Sequence, residues 1–143
     1  MIPYLLAVAG GYLIGNSMKK DKSEFKKYTG SENDFQISVA NLIRCYTDKF
    51  HHSPNEGLMK PQYGSKRKRM GVSAGFPDFI IIHHKFISGI PVPGIVIELK
   101  VGYNKPTPEQ QAWLNYFNEQ GWIAFWTNSM DKVIEILKEY FEK

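Results

Sequence analysis

The 143-residue chain is 43% hydrophobic, 14% aromatic and 22% charged, which excludes a disordered chain and leaves room for one folded domain with a real core, not two. Net charge is +4, and the excess is uneven: residues 1–77 hold twelve Lys and Arg against six acids, residues 78–143 six against eight, a mild bias toward a polyanionic partner. Cys45 is the single cysteine, so an intramolecular disulfide and thiolate zinc sites are excluded, in keeping with a reducing, cytoplasmic compartment.

Residues 1–18 predict an apolar N-terminal helix, "MIPYLLAVAGGYLIGNSM". Its apolar run ends at Gly15, short of the roughly 20 residues that cross a bilayer. It reads either as a membrane segment, with Lys19 and Lys20 holding the rest of the chain on the cytoplasmic face, or as a helix docked on the domain or a partner. No positive residue precedes the run, which argues against a signal peptide. Residues 19–30 read as a polar linker, and residues 31–143 as the domain. The spacing of Phe35, Val39, Leu42, Ile43 and Tyr46 predicts a first helix opened by Ser31 and Asp34. Residues 51–75 lack a sustained period and read as loop with room for a short helix. Within them "KRKR", Lys66, Arg67, Lys68 and Arg69, is either a solvated run or a phosphate-contacting patch.

"FPDFIIIHHKF" predicts a strand entered through Pro77, and "IVIELK" a second, joined as a hairpin. "TPEQQAWLNYFNEQG" is a helix with Thr107 as N-cap, Pro108 at its first position, Gln110 at N3 and Gly121 just past its end. "WIAFWT" is a third strand. "NSMDKVIEILKEYFEK" closes the chain as an amphipathic helix with Val133, Ile134, Leu137 and Tyr140 facing in. The predicted order is α-β-β-α-β-α, an α/β fold.

Charge in the second strand needs a reason. Side chains two apart on a strand share a face, so Val96, Glu98 and Lys100 point one way and Ile95, Ile97 and Leu99 the other. A hairpin turning near Ser88 and Gly89 brings Asp78 opposite Glu98. Two carboxylates sharing a site push one pKa up unless a cation compensates. A divalent ion such as Mg²⁺, held by one or two carboxylates with waters and phosphate oxygens, would do so, with Lys100 beside it. The plain alternative is a surface Glu–Lys pair worth under about 1 kcal/mol.

Taken together, these motifs resemble the VRR-NUC domain, a virus-type replication and repair branch of the PD-(D/E)XK nuclease superfamily, over about residues 31–140. "SENDFQ" is similar to the family's first-helix Glu-x-x-x-Gln, which carries over to Glu32 and Gln36. "HSPNEG" resembles its Pro-Asn-Gly-Gly loop at Pro54 and Asn55, with Glu56 in place of the first glycine. "GVSAGFPD" resembles the approach to the catalytic aspartate, Asp78; "IELK" the Glu-x-Lys element, Glu98 and Lys100; and "TPEQ" the helix opening that contributes Gln110. The resemblance implies a restriction-endonuclease-like core, a small mixed β-sheet flanked by helices. It also implies a metal centre of Asp78, Glu98, Glu32 and the Leu99 carbonyl, with Mg²⁺ as the ion and Mn²⁺ as a substitute.

Lys100 and Gln110 would complete the catalytic set; Lys66 to Arg69, Asn55 and Gln36 would contact DNA. An acid at Glu32 is equally what a helix N-terminus favours, and Gln110 is also placed to close a capping box. The four histidines read as non-catalytic, with His52 a candidate substrate contact, and the three tryptophans as core. The implied activity is endonucleolytic hydrolysis of Holliday-junction or branched DNA by a homodimer without a small-molecule cofactor. The competing class is a non-catalytic DNA-binding or membrane-tethered accessory protein on the same scaffold.

Overall fold

The computed structural model describes residues 25–54 and 61–143, with only the backbone for 61–63. The apolar segment 1–18, linker residues 19–24, Asn55 and Glu56 lie outside the described residues. Among the described residues no helix is long and apolar enough to cross a membrane.

In chain order the elements are helix α1 (Glu32–Arg44), strand β1 (Phe50–His52), helix α2 (Pro61–Arg69), strands β2 (Phe79–Ile87) and β3 (Ile90–Leu99), helix α3 (Pro108–Glu119), strand β4 (Ile123–Thr127) and helix α4 (Met130–Glu142). The expected α-β-β-α-β-α series is present, with β1 and α2 inserted in the stretch that reads as loop. β1 is only three residues long, too short to display a period of two. α2 is the short helix for which the sequence left room, and the "KRKR" run forms its last turn, where cations meet the negative end of the helix dipole.

The strands form one sheet in the order β1-β2-β3-β4. β1–β2 and β2–β3 are antiparallel and β3–β4 parallel, so the sheet is mixed, as a hairpin followed by a helical crossover requires. The hairpin turns on Ser88 (φ 51°) and Gly89 (φ 78°), the pair of positive φ values that suits the strand twist. Its register sets Phe79 opposite Ile97. Further along, Gly94 faces Ile82 beside a bulge, and a Cβ on Gly94 would lie 1.9 Å from the Ile81 carbonyl oxygen.

Alternation in β3 divides the core in two. Ile95, Ile97 and Leu99 join Phe79 and Ile81 beneath α1 (Phe35, Val39, Ile43) and α4 (Val133, Ile136, Leu137, Tyr140). Val96 faces the other way and packs with Leu114 of α3 and Ala124 of β4. α4 corrects one expectation: Ile136 is buried and Ile134 is 41% exposed. Val133, Ile136, Leu137 and Tyr140 follow the i, i+3, i+4, i+7 spacing, and Ile134 lies about 100° off that face. Packing also reaches into the segment read as linker, for Tyr28 stacks on Phe35 at 4.5 Å and donates its N–H to the Asn128 carbonyl.

Candidate active site

The hairpin register, continued one pair past Phe79 and Ile97, brings Asp78 and Glu98 together at one end of the sheet. Both side chains are 2% exposed. Each is tied to the other's strand: Asp78 Oδ2 accepts the Leu99 N–H at 2.8 Å, and Glu98 Oε2 accepts the Asp78 N–H at 3.2 Å. These bonds fix both carboxylates in place. Burial and the neighbouring Asp78 charge push the Glu98 pKa up to about 8. Burial also raises Asp78, and the charge of Glu32 adds to the effect, whereas the Leu99 N–H, His52 and Lys100 oppose it. Lys100 Nζ lies 3.7 Å from Glu98 Oε1, a partial neutralisation.

Glu32, at the exposed start of α1, acts on Asp78 through its charge. Among the described residues, however, no three His, Cys, Asp or Glu side chains gather closely enough to hold a metal ion. Gln36 is one turn further along α1 and half-buried. Gln110 is turned back on its own helix start: its side-chain oxygen accepts the Thr107 N–H at 2.8 Å, and its N–H donates to Thr107 Oγ1 at 3.2 Å. Lys66, Lys68 and Arg69 are exposed on α2 and Arg67 is half-buried; Asn55 lies outside the described residues. His52 stacks on Phe79 at 4.6 Å and keeps its Nε2 buried without a hydrogen bond. His83 lies midway along β2, against Tyr140 and Phe141.

Sequence reasoning missed the wall next to this site. Trp113, read as core, is half-buried among Phe76, Tyr116 and Phe117, with its indole N–H on the Ala74 carbonyl at 3.2 Å. It lines a cavity together with Ser53, Arg67 and Phe76. The signal that was present is the aromatic Phe76 two residues before Asp78.

The donor set fits a hard divalent cation. Two buried carboxylates, both raised by burial and Glu98 also by the Asp78 charge, are opposed by one lysine and carry an excess of negative charge that such an ion offsets, and Mg²⁺ needs only one or two carboxylates from a protein.

No family model matches the chain, and no curated protein matches it. Among solved structures, a protein described as a "VRR_NUC domain protein" is similar at a TM-score of 0.62 and 28% identity, over 80% of this chain and 91% of that one. The chain thus shares a mixed α/β fold, and more than a quarter of its aligned residues, with a VRR-NUC domain protein.

Proposed function

We propose that the protein is a divalent-metal-dependent DNA endonuclease that cuts branched DNA. The observation that carries this reading is the buried Asp78–Glu98 pair, cross-tied through the Leu99 and Asp78 N–H groups with Lys100 alongside. Buried like charges are costly, and a cluster of this kind at the end of a sheet is favoured where function requires it.

In the proposed mechanism Asp78, Glu98 and the Leu99 carbonyl would hold the ion, with Glu32 adding negative charge from α1. When bound, a divalent ion there supplies Lewis acidity toward a phosphate oxygen and lowers the pKa of water. Lys100 orients the attacking water or a phosphate oxygen and balances charge as the phosphorus centre gains it. Lys66, Lys68 and Arg69 hold flanking phosphates, contacts that fix position without reading sequence. A junction presents two related strands, which suits a two-fold homodimer; light scattering of the full chain should give twice the 16.5 kDa chain mass.

The test is to incubate the full chain with junction, nicked and linear DNA, with Mg²⁺ or with EDTA. Cutting is expected with Mg²⁺ and not with EDTA, fastest on the junction. Asp78→Ala should lose cutting by at least about a thousandfold, the scale of losing one strong electrostatic contributor, yet still shift DNA in a gel. Cleavage by that variant, or in EDTA, overturns the reading; binding without cleavage by the native chain favours the accessory-protein alternative.

A further inference from the structure

One cavity next to the acidic pair has no part in the mechanism above. Its volume is about 490 Å³, inside the roughly 300–1,000 Å³ of small-ligand sites. Ser53 and Pro54 after β1 form one wall, Arg67 of α2 and Val72 a second, and Phe76 with Trp113 of α3 a third.

These walls are braced from within the chain. α2 ends with Gly71 at φ 92°, the Val72 N–H reaching the Arg67 carbonyl and the Gly71 N–H the Lys68 carbonyl, a Schellman turn that needs glycine in that conformation. Gly75, at φ 79°, presses on α3 so closely that a Cβ would sit 2.7 Å from the Gln110 nitrogen. The Ser53 N–H donates to the Asp78 carbonyl at 2.8 Å, and Phe76 precedes Asp78 by two residues, so two residues of the lining are tied to the backbone at Asp78. A second cavity that Trp113 also lines, with Ala74, Glu109, Ala112 and Tyr116, has an acid and, among the described residues, no cation in its lining. That lining suits no polyanion.

We propose that the first cavity receives one unpaired DNA base adjacent to the scissile phosphate, packed against the Phe76–Trp113 wall with Arg67 on the phosphate side. The proposal rests on the nuclease reading. Aromatic walls accept any base by stacking, and the cationic turn beside the cavity complements the backbone that a base brings with it. A base inside a duplex is stacked and paired and cannot enter without being extruded at a cost of a few kcal/mol, a cost already met at a branch point. The cavity would therefore select unpaired positions without reading sequence.

The closing experiment uses the full chain and branched DNA carrying an abasic nucleotide at each position flanking the cut in turn. For the native protein, one abasic position should slow cleavage roughly ten- to hundredfold, the scale of one base–aromatic stack. Ser73→Trp, a filling substitution at an exposed residue of the cavity lining, should be slow on intact DNA and indifferent to the abasic position, as should Trp113→Leu. Should Trp113→Leu fail to fold, Ser73→Trp carries the comparison. If the native protein cuts and no abasic position matters, the cavity proposal is overturned while the nuclease reading stands. If no DNA is cut, the nuclease reading falls and a metal-free arm decides the cavity. There, 2-aminopurine in single-stranded DNA should be quenched by the native chain and not by Ser73→Trp, and equal quenching or none overturns it.

Discussion

Glu98 shows how a single residue links stability to pH here. Its folded pKa, pushed up to about 8 from an ordinary 4.5, means the folded protein holds this proton where the unfolded chain has released it. Stability from this group is fully present below about pH 4.5 and is lost as pH rises toward about 8. The metal-free protein should therefore melt at falling temperature across that window, by an amount on the order of a few kcal/mol. Glu98→Gln keeps an oxygen for the Asp78 N–H and removes the charge, so it should flatten the slope and raise the melting temperature near pH 8. Added Mg²⁺ should raise the native melting temperature there and leave the Gln variant nearly unmoved, as thermal melts with and without EDTA would show. The charged pair in "IELK" was legible because carboxylate and lysine interrupt an apolar strand. The side-chain roles were less legible, since the sequence offers Gln110 both a place at the site and a capping box, and the structure shows it on Thr107.

At the scale of elements, legibility followed local punctuation. α3 is bounded by Thr107, Pro108 and Gly121, and its capping box forms as those residues predict. Thr107→Ala should cost about 1 kcal/mol, measurable as a lowered urea midpoint with unchanged slope. β1 escaped because three residues carry no period, and it becomes a strand only through its pairing with Phe79–Ile81. In α4, Ile134 and Ile136 are equally apolar, and only the tertiary arrangement, with Val133, Leu137 and Tyr140 already facing the sheet, decides between them. The hairpin needed no such arbitration, because Ser88 and Gly89 set the register that everything at the site depends on.

For the whole molecule, the excess of positive charge lies in the first half of the sequence, and α2 puts its densest part on the surface. DNA affinity should fall steeply with salt. Neutralising Lys66, Lys68 and Arg69 together should reduce the slope of log K against log salt by about one unit per side chain that meets a phosphate. A fluorescence titration at several ionic strengths measures this; an unchanged slope would remove α2 from the DNA path. The cavity beside Asp78 was not readable in advance, since its walls come from β1, α2, the segment before Asp78 and α3, which only the folded sheet assembles.

Cys45 has a practical bearing on all these measurements. It is exposed and caps the end of α1 opposite Glu32, roughly 20 Å away along a 13-residue helix. A maleimide dye can therefore be coupled to the native chain at one defined point, remote from the carboxylates. Energy transfer from that point to labelled DNA arms would report how the substrate lies across the protein without a single substitution.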